Sequence, residues 1–104
     1  MNTPYVHRSE YRLCLLVWEH EPINSTSLVR LCKRRLNWSK STTYTVIRRL
    51  SEKGILENKD SIINSLITKE IIQDTLLEDF LKNYFEGSIS DLSVAVTRIQ
   101  KAAC

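Results

Sequence analysis

Ser39-Lys40-Ser41-Thr42-Thr43-Tyr44-Thr45-Val46-Ile47-Arg48-Arg49-Leu50-Ser51-Glu52-Lys53-Gly54 is the stretch on which the reading of this chain turns. Thr43, Val46, Ile47 and Leu50 recur three and four residues apart, which predicts one buried face of an α-helix. Ser39 is a cap-type residue at its start. Gly54 sits just past its end, where a left-handed residue closes a helix. The opposite face reads Lys40, Ser41, Tyr44, Thr45, Arg48 and Ser51, with no acid among them. A solvated helix face usually interleaves acids with bases. Hydroxyls can bond phosphate oxygens or base edges, and arginine pairs bidentately with guanine or phosphate.

Upstream, two more helices fit. Tyr11, Cys14, Leu15 and Trp18, widened by Val17, mark a first helix from about Ser9, its expected N-cap, to Glu21, stopped by Pro22. Ile23 stands alone as a short extended stretch. Asn24 and Ser25 then open a second helix with Leu28, Val29, Leu31, Cys32 and Leu36 inside. Only Asn37 and Trp38 separate it from the third, and both tryptophans read as core anchors. Downstream, Ile55 to Glu57 read as a strand, Asn58 to Ser61 as turn chemistry and Ile62 to Ile67 as a returning strand. Three helices followed by a small hairpin, the third helix basic, is the winged helix-turn-helix arrangement.

Thr68 caps a predicted fourth helix reaching about Glu86, with Ile72, Leu76, Leu77, Phe80, Leu81, Tyr84 and Phe85 as a broad apolar face. Gly87 breaks it. Ser88 and Asp91 open a fifth helix to about Lys101, striped by Leu92, Val96 and Ile99. Two such helices bury little alone, so their apolar faces need another surface, and a second copy of the chain is the natural one. The expected organisation is a winged-helix DNA-binding domain over 1–68 and a helical dimerisation region over 69–104. Leu76, Phe80, Leu81, Tyr84, Phe85, Leu92, Val96 and Ile99 are the expected dimer contacts. The fold class is mainly α with a small β-hairpin.

The chain has 104 residues and a net charge of +3, unevenly spread. Residues 1–53 carry +6 and residues 54–104 carry −3. Arg30, Lys33, Arg34, Arg35, Lys40, Arg48, Arg49 and Lys53 crowd one segment against Glu52 alone, the footprint of a phosphate-backbone binder. Two glycines rule out a Gly-rich phosphate cradle. No apolar run nears the roughly 18 residues of a membrane span, and Met1 to Arg12 holds no apolar signal core, so neither membrane insertion nor export is expected. The three cysteines, Cys14, Cys32 and Cys104, form no disulfide framework and suit a reducing cytoplasm. Cys14 and Cys32 read as buried small hydrophobes. His7 and His20 have no partner at ligand spacing, and no nucleophile–base–orienter set is present. No metal, no cofactor and no catalysis are expected. A winged-helix module for protein contact is an alternative to a DNA-binding one, but it calls for an apolar third-helix face. A small-molecule-responsive regulator is a further alternative.

Three stretches carry a family resemblance: Leu16-Val17-Trp18-Glu19-His20-Glu21-Pro22-Ile23, Trp38-Ser39-Lys40-Ser41-Thr42-Thr43, and Arg49-Leu50-Ser51-Glu52-Lys53-Gly54-Ile55-Leu56. In order and spacing they resemble the penicillinase repressor family, the BlaI, MecI and CopY type. The likeness continues through Leu66-Ile67-Thr68-Lys69-Glu70 and Phe85-Glu86-Gly87-Ser88, covering about Tyr11 to Val96. It implies a homodimeric transcriptional repressor that binds palindromic operators with its third helix in the major groove. It also implies C-terminal dimerisation helices, control of antibiotic-resistance-type genes, and a protease partner that cleaves the dimerisation region. Carried over by position, the DNA-facing set is Lys40, Ser41, Thr42, Tyr44, Thr45, Arg48 and Arg49, of which Thr42, Thr45 and Arg49 match the pattern best. Ser41 and Tyr44 stand where relatives often have lysine, which implies a different operator. The hairpin is shorter than usual and lacks the Gly-Arg wing tip. A lone Cys104 does not supply the cysteine cluster of the copper-responsive branch.

Overall fold

The computed structural model describes residues 3–103, so Cys104 lies outside the described residues. The elements in chain order are α1 (Arg8–His20), β1 (Ile23–Asn24), α2 (Ser25–Leu36), α3 (Lys40–Glu52), β2 (Leu56–Lys59), β3 (Ile62–Ser65), α4 (Lys69–Phe85) and α5 (Ile89–Ala103). The three strands form one antiparallel sheet in the order β1-β3-β2, with Ile23 opposite Ile63 and Leu56 opposite Ser65. Five helices and this small sheet make a mainly α, winged-helix chain, as the sequence predicts.

α3 forms from the residues that predict it. Ser39 Oγ accepts from the Thr42 backbone N–H at 3.2 Å, and Gly54 takes a φ of +74°. Thr43, Val46, Ile47 and Leu50 are buried, and the Thr43 hydroxyl donates to the Ser39 carbonyl at 3.0 Å, which satisfies it inside the core. Leu50 joins Leu13, Leu28, Ile55, Leu56 and Ile63 among the fully buried side chains. Truncating Leu50 to alanine is expected to destabilise the fold by about 2–5 kcal/mol, read as a lower urea midpoint at unchanged denaturant slope.

α1 departs from its predicted start. His7, not Ser9, caps it: the Glu10 carboxylate accepts the His7 backbone N–H at 2.9 Å, which sets the first turn earlier than Ser9 would. Its buried face is also wider than the Tyr11–Trp18 stripe. Leu13 and Leu16 are buried, whereas Tyr11, Leu15 and Trp18 are half-buried, because α1 packs against α2, α3 and β3 at once. Trp18 is thus an edge anchor, its indole N–H donating to the Ile67 carbonyl at 3.1 Å and its ring meeting Tyr11 edge-on. At the other end of α1 the Glu21 carboxylate accepts from the Ser65 backbone N–H at 2.7 Å and from its hydroxyl, tying α1 to β3.

The hairpin is tighter than its turn chemistry predicts. Asp60 and Ser61 alone make the turn, both with positive φ (52° and 66°), the two-residue geometry that matches strand twist. Ile55 lies outside β2: its N–H bonds back to Leu50 and its carbonyl accepts from Leu66. The Ser61 carbonyl accepts the Ser25 N–H at 2.8 Å, so the hairpin tip is pinned to the start of α2.

The chain divides into two units, 1–72 and 73–104. The first contains the sheet, α1 to α3 and the opening turn of α4, where Ile72 is fully buried. In the second, the rest of α4 buries none of its residues, and α5 buries Ala95 alone. Thr68 and Ser88 cap the two helices as predicted, accepting from the Ile71 and Asp91 backbone N–H groups. No helix of the described residues is long and apolar enough to cross a membrane.

Candidate nucleic-acid interface

The buried stripe of α3 forces its other side outward. Lys40, Ser41 and Thr42 are exposed on its first turn, Tyr44 and Thr45 are half-buried, and Arg48 and Arg49 are exposed on its second half. The seven residues singled out on α3 therefore share one helix and none is in the core. A face of this kind is polar and cationic, unlike the apolar third helix that a protein-contact module calls for.

Local hydrogen bonds determine what each group can offer. The Ser39 hydroxyl is spent on the cap and donates to the Thr42 hydroxyl at 3.0 Å. Thr45 donates to the Ser41 carbonyl at 2.9 Å, so its lone pairs and methyl group remain for an incoming base edge. Arg48 stands 3.9 Å from Glu52, one helical turn on, with both side chains about 70% exposed: 69% and 70%. Such an exposed pair holds the guanidinium weakly and releases it easily. Ser41, Thr42, Thr45 and Arg49 line a shallow hollow together with Ser9 of α1 and Trp38.

One basic residue counted toward the patch, Lys53, is withdrawn from it, and Arg35 is engaged only in an exposed ion pair. Lys53 turns inward and its ammonium meets Glu10 Oε1 at 2.6 Å and the Tyr5 carbonyl at 2.9 Å. Arg35 pairs with Glu19 at 3.4 Å. Conversely, Arg30, Lys33 and Arg34 of α2 stand beside Lys40 around a second hollow, with Trp38 in its wall. Trp38 is half-buried there, at the junction of α2 and α3. The clustered charge of residues 30–35 was visible in sequence; that it converges on the start of α3 was not.

The wing is held in. Its tip bears Lys59 and Asp60, the Ser61 bond to Ser25 ties it to α2, and it extends no arginine.

Burial, helped by the Glu10 carboxylate, pushes Cys14 up to about 12, and burial raises Cys32. Both cysteines are free and buried. Among the described residues no cluster of His, Cys, Asp and Glu is placed to hold a metal ion.

The sequence profile of the penicillinase repressor family matches residues 8–103, nearly the whole chain. The chain belongs to the penicillinase repressor family. Members of that family are repressors, not enzymes. The penicillinase repressor of Bacillus licheniformis is 23% identical over 93 residues, covering 86% of this chain and 73% of that protein. An uncharacterised 16.5 kDa protein encoded in the ptsI 3′ region of Latilactobacillus sakei is 28% identical over 85 residues, and the match spans 58% of its length. Among solved structures, the DNA-binding domain of the repressor BlaI superposes with a TM-score of 0.60 at 24% identity, covering 65% of this chain and 88% of that domain. Monomeric Bacillus licheniformis BlaI in complex with the blaP half-operator gives 0.58 at 22% identity, over 66% of this chain and 89% of its own. The structural matches establish the winged-helix fold; the family profile establishes the lineage.

Proposed function

We propose that this chain is a homodimeric, sequence-specific repressor that reads a palindromic operator, one half-site per protomer, with α3 in the major groove. The observation that carries the proposal is the outward face of α3: Lys40, Ser41, Thr42, Tyr44, Thr45, Arg48 and Arg49 present hydroxyls and cations with no acid among them before Glu52. The half-operator complex of monomeric BlaI supports one protomer docking on one half-site. Phosphate contacts would set register, while Thr45 and Arg48 would read base edges. The family points to antibiotic-resistance-type genes as targets and to cleavage within 69–104 by a protease as the release step. Such a repressor works in the cytoplasm, where its operator is.

The dimer is supported by the second unit, whose residues Tyr84, Ile89, Val94 and Ile99 are each more than 60% exposed: 72%, 71%, 61% and 67%. Apolar surface of that extent along two short helices suits a self-complementary two-fold contact.

Selection of duplexes from a random pool, followed by titration at two salt concentrations, tests the reading. Binding should weaken steeply with salt. Arg48→Ala or Thr45→Ala should relax preference at one base pair by about 1–3 kcal/mol while leaving the others. Absence of duplex affinity at low salt would overturn the proposal.

A further inference from the structure

A hollow of about 800 Å³ opens between α2 and the start of α3. Small-molecule sites occupy roughly 300–1,000 Å³. Val29 and the Trp38 indole give this one apolar walls, and Arg30, Lys33, Arg34 and Lys40 surround them, with no carboxylate in the lining. Arg30 bonds the neutral Ser27 hydroxyl at 3.3 Å, and Lys33 the Asn37 amide oxygen at 3.4 Å. Among the described residues no ion pair neutralises any of the four cations.

Two chemistries meet in one concave place. Four like charges repel one another until a multiply charged anion lies among them. A concave indole wall favours a flat ring that can stack on it. A ligand that meets both demands joins a free aromatic ring to a short run of negative charges. A duplex does not, because its bases are paired and stacked on one another. A nucleoside di- or triphosphate does, with a ring at one end and several charges at the other.

We propose that this hollow is a nucleotide site. The base stacks on Trp38 beside Val29, and the polyphosphate lies among Arg30, Lys33, Arg34 and Lys40. Resting on the repressor reading above, occupancy also has a consequence for the operator. Lys40 belongs to the operator-facing set, and Trp38 also walls the smaller hollow holding Thr42, Thr45 and Arg49. A nucleotide seated on Trp38 takes Lys40 and stands against the operator-facing side of α3. Nucleotide and operator therefore exclude each other, and each weakens the other's binding by the same factor.

The first test uses the full chain without DNA. Adenosine and guanosine triphosphate are titrated against it beside tripolyphosphate, which has the charges without the ring. At least one nucleotide should bind and change the tryptophan emission, and tripolyphosphate should bind about 10- to 100-fold more weakly, the loss of one stacked ring. In Trp38→Phe the emission change should vanish, since Trp18, bonded to the Ile67 carbonyl, lines no part of the hollow. Arg30→Gln/Arg34→Gln alters two exposed side chains, so its circular dichroism and melting should match wild type, while nucleotide affinity should fall about tenfold or more. The site is overturned by any one of four results: neither nucleotide binds, tripolyphosphate binds equally well, the emission change persists in Trp38→Phe, or the arginine variant keeps full affinity. In a second titration, on a selected operator duplex, the nucleotide should displace the chain near its own dissociation constant. A ternary complex of chain, nucleotide and duplex overturns the exclusion. A wild-type chain without duplex affinity ends the repressor reading and the exclusion with it, whereas the DNA-free titrations decide the site on their own.

Discussion

Lys53→Met is expected to destabilise the fold by about 3 kcal/mol at neutral pH, near the low end for a broken buried ion pair. Glu10 is 1% exposed, and its Oε1 holds both the Lys53 ammonium and the His7 N–H. Removing the ammonium leaves a carboxylate in the junction of α1 and α3 with one backbone donor. The effect is held to the lower end because the Lys53 side chain keeps 26% of its surface in water, which can partly hydrate the site. Glu10→Met/Lys53→Met should recover most of the loss. Oε2 of Glu10 is buried without any hydrogen bond, so the native pair is itself incompletely compensated, and an apolar pair removes that deficit. Urea unfolding of the two single variants and the double variant closes the cycle. Equal losses in the double and in Lys53→Met would sink the argument.

The same pair gives the fold a pH dependence of definite sign. Burial pushes the Glu10 carboxyl up, but hydrogen bonds from Lys53 and the His7 N–H, with the Lys53 charge, outweigh it and hold the carboxyl below its ordinary value. A carboxyl lowered on folding binds its proton more readily in the unfolded chain. Its stabilisation is therefore complete above the ordinary carboxylate range and is lost as pH falls through the lowered value. Without the Lys53 ammonium two of the lowering causes are gone, and the carboxyl stands higher than in the wild type. The gap between wild type and Lys53→Met should accordingly narrow on acidification from neutrality into that range.

α3 was legible almost residue for residue because its periodicity, cap and terminal glycine agree, and such agreement between local signals is what makes a segment readable. The start of α1 was not, because Glu10 reaches back to the His7 N–H from a cap position that holds no Ser, Thr, Asp or Asn to announce it, while Ser9 offers the usual cap side chain two residues on. The two-residue turn was also hidden: Asp60-Ser61 lacks the glycine that usually marks two successive positive φ angles. Of the candidate site, the α3 face could be read from spacing alone. The withdrawal of Lys53 and the convergence of Arg30, Lys33 and Arg34 on Lys40 could not, since charge counts along a chain carry no direction. Among the expected dimer contacts, Phe80, Tyr84, Val96 and Ile99 are exposed, while Leu76, Leu81, Phe85 and Leu92 are half-buried. Ile89 and Val94, outside the predicted stripes, are more exposed than Phe80 or Val96.

That distribution determines which substitution tests the dimer without unfolding the protomer. Phe80 is a poor choice, since its ring meets those of Tyr84 and Phe85 at tilted angles with centroids 5.0 and 5.8 Å apart, contacts within α4 that the substitution would also remove. Val96 and Ile99 are 53% and 67% exposed and lie three residues apart on one side of α5. Glutamate at both leaves each charge in water if the chain is alone, but drives it into an apolar contact if two chains meet there. Val96→Glu/Ile99→Glu should therefore keep its helix content and sediment as a monomer at concentrations where, on the dimer proposal, the wild type sediments as a pair. Losing the tethered second half-site removes the effective-concentration gain, so affinity for a full palindrome should fall by about 100- to 10,000-fold while a single half-site binds as before. Both effects follow from one interface, and their separation is informative. A variant that still sediments as a dimer places the two-fold axis on another surface, a wild type that sediments as a monomer overturns the dimer proposal itself, and a variant that becomes monomeric yet keeps full operator affinity shows that the protomers do not bind as a tethered pair.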